Sequence, residues 1–169
     1  MKPDAEASAE PSAEVLERLR RSGIRIDREG DFIHEGEPVR HEGLRRALYR
    51  WLDRDDERPG RYLLRLDERR FAYLDVDDTP LVVRALRVAG AGGEIWIELS
   101  DGAEERLDPA TLTIDGAGVL RAWVHGGRLE ARLATSAAAV LADAITEADG
   151  RLLLRLAGQS VFLPPRSAR

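Results

Sequence analysis

The chain is 169 residues long, has a net charge of -5 and contains no cysteine. This length fits one domain of ordinary size or two very small ones. The missing thiols exclude disulfides, Fe–S clusters, thiolate metal sites and cysteine nucleophiles. Every one of the 26 basic residues except Lys2 is an arginine, so chemistry that needs a well-placed lysine is excluded too. The acidic balance argues against a general affinity for nucleic-acid phosphates or anionic lipid. A 43% hydrophobic and 34% charged composition still supplies enough apolar material for a core.

Residues 1–11 are rich in Ala, Glu, Ser and Pro and read as a disordered tail without a signal-peptide core. No run approaches the roughly 18 apolar residues of a membrane span. The expectation is therefore a bacterial cytoplasmic protein. Ser12 is placed as the N-cap of a helix over 12–22, with Val15, Leu16 and Leu19 on one face and Gly23 as its stop.

Ile24 and Ile26 then alternate with polar residues. Arg28-Glu29-Gly30 is a turn, Phe32 and Ile33 start a return strand, and Glu35-Gly36-Glu37-Pro38 is a second turn signal. Leu44, Ala47, Leu48, Trp51 and Leu52 recur at helical spacing, which predicts a helix over 41–52. The run Asp53 to Arg58 alternates in charge and reads as a solvated helix end. Strands over 62–66 and 71–76 follow, joined as a hairpin. Next come a strand after Thr79-Pro80, a glycine-rich connection at 89–93 and a strand at 94–99. The second half continues as a meander over Leu112 to Leu133. A helix is predicted from Thr135 or Ser136 through Glu147, burying Val140, Leu141, Ala144 and Ile145, and a final hairpin ends before Pro164-Pro165.

The halves repeat. GRYLLRL at 60–66 and GRLLLRL at 150–156 share six of seven residues, and IRIDREG at 24–30 aligns with LTIDGAG at 112–118 at Ile26/Ile114, Asp27/Asp115 and Gly30/Gly118. The offset is 88 residues at the first match and 90 at the second. The predicted fold is α+β, with mostly antiparallel sheets in two related strand-strand-helix-strand-strand lobes. The first lobe is placed at 23–80, connecting strands at 81–108, the second lobe at 109–165 and a frayed tail at 166–169. Neither half is large enough to bury an adequate core alone.

The sharpest chemical motif is FAYLDVDDTPLVV at 71–83. Its Asp75-x-Asp77-x-Thr79 resembles the nucleophile loop of Mg²⁺-dependent haloacid-dehalogenase phosphatases. Its late position, the lack of any lysine after Lys2 and the absence of βαβ units argue against that activity. His34 and His41 lie seven residues apart without a metal-ligand pattern, and His125 precedes Gly126-Gly127 in a turn, where a surface or capping role is expected. His34, His41, Asp75, Asp77 and Asp78 stand as candidate binding residues. No cofactor or metal is expected.

A wider pattern comprises Asp27, Gly30, Phe32, His34, Glu35, Gly36, Pro38 and Val39, an amphipathic helix, and then Val76, Asp77, Asp78 and Pro80. It resembles the bacterial family called domain of unknown function 1285. The family's tryptophan near Phe32 is absent, and Leu81 stands where a phenylalanine is usual. The resemblance implies an α+β fold with repeated motifs and a suggested role in bacterial signalling or regulation, with no established activity. The reading leans against an enzyme and toward a regulatory module that binds a small ligand or a protein partner. A structural homo-oligomer is the alternative, and the phosphatase is the least favoured. Neither nucleic acid nor membrane is expected as a partner.

Overall fold

The computed structural model describes residues 20–166. In chain order the strands are β1 (Arg21–Ile26), β2 (Phe32–His34) and β3 (Glu37–Pro38), followed by helix α1 (Glu42–Trp51) and strands β4 (Leu52–Arg54), β5 (Tyr62–Arg65) and β6 (Phe71–Val76). Then come β7 (Leu81–Ala89), β8 (Glu94–Leu99), β9 (Glu104–Leu107), a 3₁₀ turn (Pro109–Thr111), β10 (Thr113–Ile114), β11 (Leu120–Val124) and β12 (Leu129–Leu133). Helix α2 (Thr135–Ala142) leads to β13 (Ile145–Ala148), β14 (Arg151–Leu156) and β15 (Gln159–Phe162).

These strands fall into consecutive three-stranded antiparallel meanders, which join through parallel contacts. One six-stranded sheet has the order β3-β2-β1-β6-β5-β4, with β1 parallel to β6. A second has the order β10-β11-β12-β7-β8-β9, with β12 parallel to β7. In both sheets the first strand of the earlier meander meets the last strand of the later one. The class is α+β, and the duplication predicted from the repeat is present.

The duplication is clearest at the matched turns. Asp27 Oδ1 accepts the backbone N–H groups of Glu29 (3.1 Å) and Asp31 (2.8 Å), while Asp115 Oδ1 accepts those of Ala117 (2.9 Å) and Val119 (3.0 Å). The N–H of Gly30 donates to Asp27 O (3.1 Å) and that of Gly118 to Asp115 O (2.9 Å). Each aspartate thus satisfies its own loop's amides, as Asx turns do. Ile26 is paired in parallel with Val76, and Ile114 with Pro165. The Asp77 N–H donates to Ile26 O (3.0 Å), and the Arg166 N–H to Ile114 O (2.8 Å). Arg166, expected to open a frayed tail, is therefore pinned by its backbone.

Some sequence expectations need correction. The helix predicted for 12–22 lies outside the described residues except at its end, where Arg21 and Ser22 are in β1. Ser22 Oγ donates to Tyr73 O (2.7 Å), and Gly23 (φ +69) takes up the register shift in β1 rather than stopping a helix. Leu52 to Arg54 form strand β4, not a helix end. Glu37 and Pro38 lie in β3, not in the turn. The second helix stops at Ala142 instead of reaching Glu147, leaves Val140 exposed and has no side-chain cap from Thr135 or Ser136. Asp149-Gly150 overrides it. Both residues have positive φ (52° and 71°), which builds a two-residue hairpin pairing Ala148 with Arg151 and Ile145 with Leu154.

One apolar cluster runs through both halves. It includes Ile26, Phe32 and Leu48 from the first half and Leu112, Leu120, Leu141, Leu154 and Leu163 from the second. Each half completes the other's core, as their small size requires. Gly30 sits where the first half meets β7: a Cβ there would stand 3.0 Å from Val82 Cγ2, and its φ is +83°. Gly118 has a similar φ of +80° but open space around it. Gly30→Ala is therefore expected to lose about 2–3 kcal/mol in urea unfolding, and Gly118→Ala only about 1 kcal/mol. Equal losses at the two positions would contradict the close approach at Gly30.

Candidate functional site

The charged run after α1 does not dissolve into solvent. Asp53 on β4 and Asp56 in the following loop converge on Arg128, which sits just before β12. Arg128 Nε donates to Asp53 Oδ1 (2.6 Å), its Nη1 to both Asp56 oxygens (2.8 and 2.9 Å) and its Nη2 to Arg54 O (3.3 Å). Burial opposes ionisation of Asp53, but hydrogen bonds from Arg128, the Arg54 N–H and Arg65 hold its carboxyl below the usual range. Asp53 is read from the sequence as solvent-facing, yet it anchors one half to the other.

A second bridge is more buried. The Arg121 side chain on β11 is 6% exposed. Its Nη1 lies 2.6 Å from Asp78 Oδ1, a close ionic contact, and its Nη2 donates to Asp115 Oδ2 (2.8 Å). Asp78 follows β6 of the first half, and Asp115 is the turn aspartate of the second. Arg121 Nε is buried without an acceptor among the described residues. Beside the seam, within the second half, Arg166 donates to the buried Glu130 through Nε (3.0 Å) and Nη2 (2.7 Å).

These bridges leave a cleft of about 610 Å³ between the halves. Arg54, Asp55, Asp56, Pro59, Gly60, Tyr62, Val76 and Asp78 line it from one side, and Trp123, Glu130 and Arg166 from the other. Trp123, Glu130 and Arg166 also border a second hollow of about 280 Å³. The Arg54 guanidinium lies 5.7 Å from the centre of the Trp123 ring, within cation–π range. Burial and the neighbouring Glu130 push the Tyr62 phenol up to about 12, so it remains a hydrogen-bond donor at neutral pH.

Of the candidate binding residues His34, His41, Asp75, Asp77 and Asp78, Asp78 alone lines this cleft. Asp77 pairs with Arg25 on the first sheet. Asp75 is exposed on β6, and His34 is exposed on β2. His41 caps α1, its Nδ1 accepting the Leu44 N–H at 3.2 Å. Thr79 is buried and structural, with Oγ1 donating to Leu81 O (2.7 Å) and accepting the Arg132 N–H (3.1 Å). The Asp75-x-Asp77-x-Thr79 motif therefore gathers at no common point. The signal for Trp123, Tyr62, Arg128 and Arg166 was weak because each lies in a separate strand or loop end.

His125 is more than a turn residue. Its Nε2 lies 2.7 Å from Asp101 Oδ2 and its Nδ1 3.0 Å from Glu105 Oε2. Two carboxylates facing both ring nitrogens suit an imidazolium, because a neutral ring can donate only once. The hydrogen bond it donates to Asp101 raises its pKa above 6.5; burial opposes this, and the charges of Asp101 and Glu105 add to the rise. This latch and Arg128 hold opposite ends of the same β11–β12 turn.

The fold and cleft define an α+β protein of two fused near-copies with a polar, aromatic-walled groove at their seam. Two solved structures share this architecture. A DUF1285 family protein from Silicibacter pomeroyi is similar with a TM-score of 0.69 at 22% identity, over 85% of this chain and 80% of that one. A DUF1285 family protein from Shewanella baltica is similar with a TM-score of 0.54 at 17% identity, over 67% of this chain and 84% of that one. The resemblance to the DUF1285 family therefore stands on the fold. No family model and no curated protein matches the chain. Among the described residues, no helix is long and apolar enough to cross a membrane.

The latch has a pH signature. Because the folded pKa of His125 is raised above 6.5, its stabilisation is complete below about 6.5 and is lost as pH rises through the higher folded value. On the acid side it persists until Asp101 protonates below the ordinary 3.8; burial opposes that lowering, but hydrogen bonds from His125 and the Ala103 N–H outweigh it. The stability difference between wild type and His125→Gln is expected to be largest near about pH 6 and to shrink by about pH 9 in urea titrations. A difference independent of pH would contradict the latch.

Proposed function

We propose that this protein is a non-enzymatic regulatory module that binds a small organic ligand in the cleft between its two halves. The observation that carries this reading is the composition of the cleft wall. Both halves contribute to it, and it combines an indole, a phenol and two guanidinium groups around about 610 Å³. Ligand sites are typically concave, with aromatic surface and a few placed polar groups, and they favour seams between structural units. Ligand placed there touches both halves, so occupancy changes how firmly they are joined, and a partner protein can read that change. The carboxylates at the cleft are engaged by arginines and backbone, which favours binding over acid–base catalysis.

A thermal-shift screen of small aromatic and polar compounds tests this. A true cleft ligand at ten times its dissociation constant adds about 1.4 kcal/mol, a rise in Tm of about 3–5 °C. Trp123→Ala is expected to abolish the rise while leaving a cooperative transition. A rise that survives Trp123→Ala, or a screen in which no compound stabilises the wild type, would contradict the proposal.

A further inference from the structure

We propose that the cleft holds its ligand by an anionic head group, a carboxylate or phosphate, received by Tyr62 and Arg166. The inference rests on the ligand-binding reading above and names the chemistry of that same site. Counted by formal charge, the lining is acidic, with Asp55, Asp56, Asp78 and Glu130 against Arg54 and Arg166. Counted by hydrogen-bonding edges, the balance reverses. Asp55 accepts the Glu57 N–H at Oδ1 (3.0 Å) and the Tyr73 hydroxyl at Oδ2 (3.0 Å). Both oxygens of Asp56 are held by Arg128, and Arg54 adds to Oδ1. Both oxygens of Glu130 are held by Arg166.

The donors are what is left over. Arg166 spends Nε and Nη2 on Glu130, and Arg54 spends Nε and Nη2 on Asp56. The Nη1 group of each has no partner among the described residues, and neither has the Tyr62 hydroxyl. Tyr62, Asp78 and Arg166 line the same cleft. A guanidinium edge beside a phenol donor matches the oxygens of a carboxylate or phosphate. Trp123 and Val76 line the same cleft and suit an apolar or planar body. Asp78 Oδ2 is the lining carboxylate oxygen with no partner among the described residues, and it fits a hydroxyl or ammonium on the same ligand.

The repeat supports this placement. Tyr62 stands in GRYLLRL where the second copy has Leu152 in GRLLLRL. The phenol is the one departure in an otherwise identical segment, and it lines the cleft.

The test uses the full chain and four probes that share a phenyl ring: 3-phenyllactate, phenyl phosphate, 2-phenylethylamine and 2-phenylethanol. Binding is read by calorimetry and by Trp fluorescence, with Trp123→Phe identifying the cleft signal. The two anions are expected to bind at least about tenfold more tightly than the amine or the alcohol. The anion preferred by the protein separates a carboxylate from a phosphate site. Tyr62→Phe is expected to weaken the anions about tenfold and to leave the alcohol unchanged. Arg166→Lys keeps a cation opposite Glu130 but removes the free edge, so it weakens the anions without unfolding the chain. Amine or alcohol binding as tight as the anions, with the signal still dependent on Trp123, would overturn the head-group assignment while sparing the cleft. No binding by any probe would overturn both.

Discussion

Arg121 is a guanidinium almost wholly withdrawn from water, and the way the two halves meet follows from it. An ion moved out of water costs several kcal/mol unless other groups repay it. Here the repayment comes from both halves, from Asp78 after β6 and from Asp115 in the second-copy turn. Neither half can satisfy this group alone. The same turn aspartate exists in the first copy, where, among the described residues, the Asp27 side chain serves only its own loop amides. In the second copy the loop uses Oδ1, and Oδ2 is turned to Arg121. A device that began as a local turn has become part of the seam.

The remaining contacts along the seam follow the same logic at lower burial. Arg128 reaches Asp53 and Asp56 across it, while Arg166 holds Glu130 within the second half. Arg128 is 37% exposed, so solvent screens part of its attraction and its role is chiefly geometric. Together the bridges hold the walls apart at fixed points and leave the cleft between them. Together with the Tyr73 hydroxyl and the Glu57 N–H on Asp55 they engage most carboxylate oxygens of the lining, which leaves an acidic wall whose unused edges, apart from Asp78 Oδ2, are donors. A predominantly arginine complement suits this arrangement, because each planar fork can pair with a carboxylate and still present another edge.

Much of the fold was legible because repeats and turns are local. The pairs Ile26/Ile114, Asp27/Asp115 and Gly30/Gly118 marked two copies of one turn, and the structure shows the same hydrogen bonds at both. The α1 periodicity was equally plain. Errors arose where two local signals competed. Asp149-Gly150 is a strong hairpin turn, yet the preceding alanines suggested a helix running up to Gly150. The cleft was hardly legible. Trp123, Tyr62 and Arg166 come from different meanders, and no spacing rule brings them together. Asp78 was found only because it lies in an acidic motif, and its actual partner, Arg121, is more than forty residues away in sequence.

The most direct test of this account is a double-mutant cycle between Arg121 and Asp78, followed by urea unfolding near neutral pH. Arg121→Met alone is predicted to cost about 3–5 kcal/mol, because it leaves Asp78 and Asp115 facing each other without their cation. Adding Asp78→Asn to Arg121→Met is predicted to recover a substantial part of the loss, giving a coupling of about 2 kcal/mol or more. A loss below about 1 kcal/mol for Arg121→Met, with additive effects in the double mutant, would show that the seam does not depend on this guanidinium.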